Sequence, residues 1–152
     1  MNLSAELFKL ADTGDHQTVL ADLRQAKIRH ILAGSYGIRH LRPIHDIDAI
    51  VHPGDWKKLT SSGLGAMAAV PPPSGVGYNI RAKDLNIELA PNNLGVKGFD
   101  YKSLMREGVA TDEHGNRHLT PQQIVRWKKT MGRPKDLADI KLIERASMAS
   151  LG

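Results

Sequence analysis

Ile31-Leu32-Ala33-Gly34-Ser35, followed about ten residues later by His45-Asp46-Ile47-Asp48-Ala49-Ile50-Val51, is the stretch that decides how this chain reads. Residues 30–33 form a short apolar run that stops at Gly34-Ser35, and residues 46–52 alternate; both segments read as strands. Residues two apart on a strand share a face. Asp46 and Asp48 therefore point to one side, while Ile47, Ala49 and Val51 anchor the other. Two carboxylates held that close repel each other unless a cation sits between them. Magnesium is the natural cation, because it takes hard oxygen ligands and binds through one or two carboxylates plus substrate phosphates.

Further along, Tyr78–Arg81 and Leu85–Ala90 read as two strands, with Ala82-Lys83-Asp84 as the hairpin turn between them. In the second strand Leu85, Ile87 and Leu89 face one way, and Asn86 and Glu88 the other. Glu88 thus offers a third carboxylate, and three such acids can hold two metal ions that activate a hydroxyl and stabilise a leaving group. Gly34-Ser35 lies at a strand-to-helix junction, where backbone can approach a phosphate closely. The plainer alternative makes Asp46 and Asp48 the solvated face of an edge strand, and Glu88 an ordinary exposed strand residue.

Helical spacing of Leu3, Leu7 and Leu10 predicts a helix over 3–12, and Val19, Leu20, Leu23, Ala26 and Ile28 predict another from His16 to Ile28. A short helix or turn spans Tyr36 to Leu41, and Pro53-Gly54-Asp55 opens a helix that reaches Ser62. Residues 66–70 read as a strand and 71–75, Pro-Pro-Pro-Ser-Gly, as a loop. Asp100–Arg106 reads as a helical turn, and His114-Gly115-Asn116 as a hairpin tip. Thr120-Pro121-Gln122-Gln123 is a helix start, with Thr as cap, Pro first and Gln third. That helix runs to Met131. Gly132-Arg133-Pro134 interrupts, and a last helix runs from Lys135 or Asp136 to Met148. The order predicts an α/β (α+β) fold: one domain over 1–152, a small mixed sheet flanked by helices, with the helices of 120–148 packed on the core.

The 152 residues, 41% hydrophobic and 24% charged, suffice for a hydrophobic core. With no cysteine, disulfides and thiolate zinc sites are excluded. His40 with His45, and His114 with His118, lack the helical spacing and companion ligands of a tetrahedral zinc site. Trp56 and Trp127 fall on helices and read as core rather than as stacking surface. The opening residues carry acids and no long apolar run, and nothing approaches the roughly 20 apolar residues of a membrane span. The expectation is a cytoplasmic protein without a membrane partner. A formal charge of +5 suits a polyanionic partner.

Taken together, the Gly-Ser strand and the following Asp-x-Asp strand resemble the DNA polymerase β-type nucleotidyltransferase superfamily. Lys128-Lys129-Thr130-Met131-Gly132-Arg133-Pro134-Lys135-Asp136-Leu137-Ala138-Asp139-Ile140 is similar to the C-terminal stretch of small stand-alone members. Those include the AbiEii-like group, to which toxins of toxin–antitoxin systems belong. The two segments cover about a third of the chain. The resemblance implies transfer of a nucleoside monophosphate from a nucleoside triphosphate to a hydroxyl, with magnesium held by Asp46, Asp48 and Glu88. It implies that Gly34 and Ser35 hold the triphosphate, that Lys128 lies near the phosphates with Arg133 adding charge, and that Asp136 belongs to the nucleotide site. Many relatives carry Lys, Arg or a small residue where this chain has His45. A cognate antitoxin would be a partner. The charge favours RNA, such as a tRNA 3′ end, as acceptor over a cationic drug. Arg39, Arg42, Lys57, Lys58, Lys129 and Lys135 would then supply backbone contacts. A non-catalytic nucleotide- or RNA-binding module of the same fold, or a small-molecule acceptor, is the alternative. Helix-end placement alone also accounts for the cluster of Lys128, Lys129, Arg133 and Lys135, and a first-turn role for Asp136.

Overall fold

The computed structural model describes residues 15–61, 78–91 and 96–151. The helix expected over 3–12, the strand over 66–70 and the loop over 71–75 lie outside these residues.

Helix α1 (His16–Gln25) begins where the Asp15 side chain accepts from the Thr18 backbone N–H. The apolar spacing predicts a helix as far as Ile28, but α1 ends at Gln25. The backbone N–H of Lys27 bonds the Arg24 carbonyl and that of Ile28 the Leu23 carbonyl. Lys27 itself adopts a left-handed φ of 61°. This is the Schellman stop that glycine usually makes, so no residue type in the sequence announces it. A side chain in that conformation costs about 1 kcal/mol.

Strand β1 (His30–Ala33), a 3₁₀ turn (Tyr36–Ile38), β2 (Asp46–Val51) and α2 (Pro53–Ser61) follow. Then come β3 (Tyr78–Arg81), β4 (Asn86–Ala90), α3 (Tyr101–Glu107), β5 (Ala110–Thr111), β6 (Arg117–His118), α4 (Pro121–Met131) and α5 (Pro134–Leu151). The strands form one mixed six-stranded sheet in the order β3-β4-β2-β1-β6-β5. β2 runs antiparallel to β1 and parallel to β4, and β1 runs parallel to β6. The fold is therefore α/β with a mixed sheet, as the order of elements predicts. Among the described residues no helix is long and apolar enough to cross a membrane.

Strand alternation divides the core in two. Leu32, Ile47, Ala49, Val51, Ile87 and Leu89 pack with Val19, Leu20 and Leu23 of α1 and Leu59 of α2. Ile31, Ala33 and Ile50 pack on the other face with Tyr101 and Leu104 of α3, Ile124 of α4 and Ile143 of α5. Because Asp46 and Asp48 share the parity of Ile50, they belong to the face that α4 and α5 cover. That single fact of alternation brings the C-terminal helices to the acids.

The start of α4 is set locally. Thr120 accepts from the Gln123 backbone N–H, and the Gln123 side chain accepts in turn from the Thr120 N–H. Gly132, at φ 64°, ends α4 and lets the chain turn into α5. Two buried polar features were not expected from sequence. The Asp55 carboxylate, 1% exposed, accepts from the Arg29 backbone N–H and guanidinium. The Tyr36 hydroxyl donates to Asp112 at 2.6 Å and accepts from Gln17 and Asn116.

Candidate active site

The register of the central strands assembles the acids. Asp48 lies opposite Glu88 on β4 and opposite Ala33 on β1, while Asp46 lies opposite Asn86. Asp46 is exposed, and Asp48 and Glu88 are half-buried. All three line a cavity of about 410 Å³ together with Gly34, Ser35 and His45.

Gly34 makes room for this arrangement. Its φ is +59°, and a Cβ there would stand 2.7 Å from Oδ2 of Asp48. Any side chain would be strained by the backbone and would press on the carboxylate.

The opposite wall is cationic and comes from α4, the α4–α5 turn and the segment after the 3₁₀ turn. Lys128, 3% exposed, holds its Nζ 2.8 Å from Oδ2 of Asp139 and 3.5 Å from Oδ1 of Asp136. Arg42 grips Asp139 with two nitrogens, each at 2.6 Å, and donates to Oγ of Ser35 at 2.9 Å. Arg133 donates to Asp136 through Nε at 2.7 Å and through its backbone N–H. Asp136 is thus the third residue of α5, reaching back to cap its own helix.

The charges on the two walls act on one another. Burial, with Asp46 and Glu88 adding repulsion, pushes the Asp48 carboxyl up to about 6, against a pull downward from Lys128 and Arg133. Glu88 is raised by burial and by Asp46. The bidentate grip of Arg42, reinforced by Lys128, holds Asp139 down at about 2.

These placements sort the residues singled out from sequence. Gly34, Ser35, Asp46, Asp48, Glu88, Lys128 and Arg133 line one cavity, as does His45. Asp136 is fully buried behind the wall, where it holds Lys128 and Arg133 rather than lining the cavity. Lys128 is not a solvated helix-end cation; its ammonium is engaged by two carboxylates. Trp127 is partly buried against the core and also lines the cavity, with the Lys128 and Arg133 charges 5.5 and 6.0 Å from its ring centre. Trp56 packs against the other core.

Arg42 and Asp139 have roles that sequence reasoning did not assign. Asp139 stands three residues after Asp136, on the same side of α5, a spacing visible in the sequence. Three of the six expected backbone-binding cations are held in ion pairs. Arg39 pairs with Asp112 and Glu113, Arg42 with Asp139, and Lys58 with Asp55. Lys135 lines the cavity and Lys129 is exposed.

Among the described residues, no three His, Asp or Glu side chains are drawn together as a ready-made metal cage. The acids fit magnesium in another way. Burial, and with it the repulsion from Asp46 and Glu88, raises Asp48; a cation would relieve the repulsion, and magnesium typically takes one or two carboxylates and completes its shell with waters and substrate phosphates. Asp46, Asp48 and Glu88 would supply the carboxylates.

Comparison with known proteins gives no match, whether to a family model, a curated sequence or a solved structure. The functional reading therefore rests on the cavity itself.

Proposed function

We propose that the chain is a magnesium-dependent nucleotidyltransferase that moves a nucleoside monophosphate from a nucleoside triphosphate onto a hydroxyl. The observation that carries this reading is the pairing, across one cavity, of a three-carboxylate wall with Lys128, Arg42 and Arg133 beside Gly34-Ser35. Carboxylates suit a metal–triphosphate complex, and the cations suit its phosphate oxygens.

In the proposed reaction the acceptor oxygen bonds to the α-phosphorus as the bridging oxygen to the β-phosphorus departs with pyrophosphate. Asp46 and Asp48 would hold magnesium, and Glu88 would add a third carboxylate on the side of the acceptor. When bound, the metal offsets charge on the phosphates and lowers the pKa of the attacking hydroxyl. Glu88, raised by burial and by Asp46, is suited to take the hydroxyl proton. Ser35 accepts from Arg42, which leaves its own O–H to donate to a phosphate oxygen. Lys128 and Arg133 contribute field rather than direct grip, because Asp136 and Asp139 hold them. Catalysis of this kind is positioning and charge neutralisation.

The acceptor we propose is RNA, in keeping with the net charge of +5. Incubation with each labelled triphosphate, magnesium and total cellular RNA tests the reading through label transfer and pyrophosphate release. Nucleotide binding without either product would favour a non-catalytic module. The engagement of Lys128 by two carboxylates is the observation on that side.

A further inference from the structure

A second cavity, of about 350 Å³, opens at the other end of β1 and shares no described residue with the first. Arg24, Lys27, Arg29, His30, Thr111 and Arg117 line it, and none of its described lining residues is acidic. Arg29 is tied to Asp55. The other cations that line it make no ion pair with a described residue. Arg24 donates to the Asn116 amide oxygen and Arg117 to the Tyr101 hydroxyl, both neutral groups. Lys27 makes no ion pair with a described residue and is exposed.

We propose that this cavity binds the phosphodiester backbone of a single-stranded nucleic acid. Guanidinium groups match phosphate oxygens in paired geometry, and a lysine adds a point charge. Of the carbonyls at the end of α1, those of Leu23 and Arg24 are satisfied by the N–H groups of Ile28 and Lys27. Gly115 borders Arg24: a Cβ there would stand 3.9 Å from Nε, in ordinary contact. His30 is buried, and burial lowers its pKa against the opposing bond to the Ile28 carbonyl, with Arg24 and Arg117 adding to the lowering. No tyrosine, tryptophan or phenylalanine lines the cavity among the described residues. It therefore reads phosphate rather than base or sugar, and RNA and DNA strands should bind alike. The inference stands apart from the transfer reaction, because it uses none of the residues of the acidic cavity.

The test is fluorescence anisotropy of labelled dodecamers of RNA and DNA with the full chain over a salt series. Lys27→Gly and Arg117→Gln are made singly and together, with Lys141→Gln plus Arg145→Gln on exposed α5 positions as a charge-matched control. The double variant is expected to bind about tenfold more weakly at low salt and to flatten the log–log salt slope by about 1.4, two contacts at roughly 0.7 each. The control pair should change affinity less than about twofold. Lys27→Gly places glycine at a left-handed position, so its melting temperature should not fall and its loss of binding is not unfolding. Unchanged affinity in the double variant, an equal loss in the control, absence of binding by the parent chain, or a loss in the double variant confined to RNA or to DNA would each overturn the proposal. Label transfer from triphosphate is scored separately, so an inert acidic site leaves this result intact.

Discussion

Lys128 and Asp139 form an ion pair with Nζ 2.8 Å from Oδ2, both side chains almost wholly withdrawn from water. A charge so placed is tolerated only with its partner. Asp139→Asn is therefore expected to destabilise the fold by about 3 kcal/mol, since it leaves Lys128 with the more distant Asp136 and removes the bidentate grip of Arg42. The pH dependence has a definite sign. Asp139 sits at about 2 in the fold against 3.8 in the open chain, so its stabilisation is complete above pH 4 and is lost as pH falls toward 2. Acid melts of parent and Asp139→Asn should converge across that window. Parallel curves would show that the pair does not carry this energy. Lys128→Ala should weaken the fold as well as nucleotide binding, because its ammonium is buried against Asp136 and Asp139.

Asp48 behaves in the opposite sense. Its pKa of about 6 lies above the open-chain 3.8, so without divalent metal its contribution falls as pH rises from about 4 to 6 and stays low above. Asp48→Asn should match the parent near pH 4 and exceed it at pH 7 by roughly 1–3 kcal/mol, while label transfer is abolished. Added magnesium should raise the melting temperature of the parent at pH 7 and leave that of Asp48→Asn nearly unchanged. A magnesium shift of equal size in both proteins would place the ion elsewhere.

Gly34→Ala should separate site from stability. The left-handed backbone costs about 1 kcal/mol, and the added methyl would stand 2.7 Å from Asp48 Oδ2 unless the carboxylate moves. A fall of a few degrees in melting temperature with near-complete loss of transfer is expected. Transfer at parental rate would mean that Asp48 is free to move without consequence.

Tyr36→Phe removes a buried hydroxyl that bonds Asp112, Gln17 and Asn116. It should destabilise by about 1–3 kcal/mol, as buried partners are left unsatisfied. Chemical denaturation would read this directly, and nucleotide affinity should stay within about twofold because the hub lies outside the acidic cavity.

What could be read from the sequence was local. Thr120, Pro121 and Gln123 announce α4 because a capping box is written within four residues. Alternation alone put Asp46 and Asp48 on one face and Glu88 on the matching face of another strand. The end of α1 was misjudged because Lys27, not glycine, makes the turn. The polar hub escaped notice since Tyr36 and Asp112 are 76 residues apart, and nothing in either neighbourhood names the other. Lys128 could be placed near the site but not recognised as buried. Its environment depends on how α5 folds back after Gly132, which is a matter of packing and not of residue type.

Arg42 and Asp139 meet across 97 residues of chain. During synthesis, the strands that bear the carboxylates leave the ribosome well before the helices that bear the opposing cations. A nascent chain complete only through β4 would carry the three acids and Arg42, but neither Lys128 nor Arg133 nor the Asp139 carboxylate that Arg42 grips. The wall that faces the acids is thus completed only when the C-terminal helices have docked.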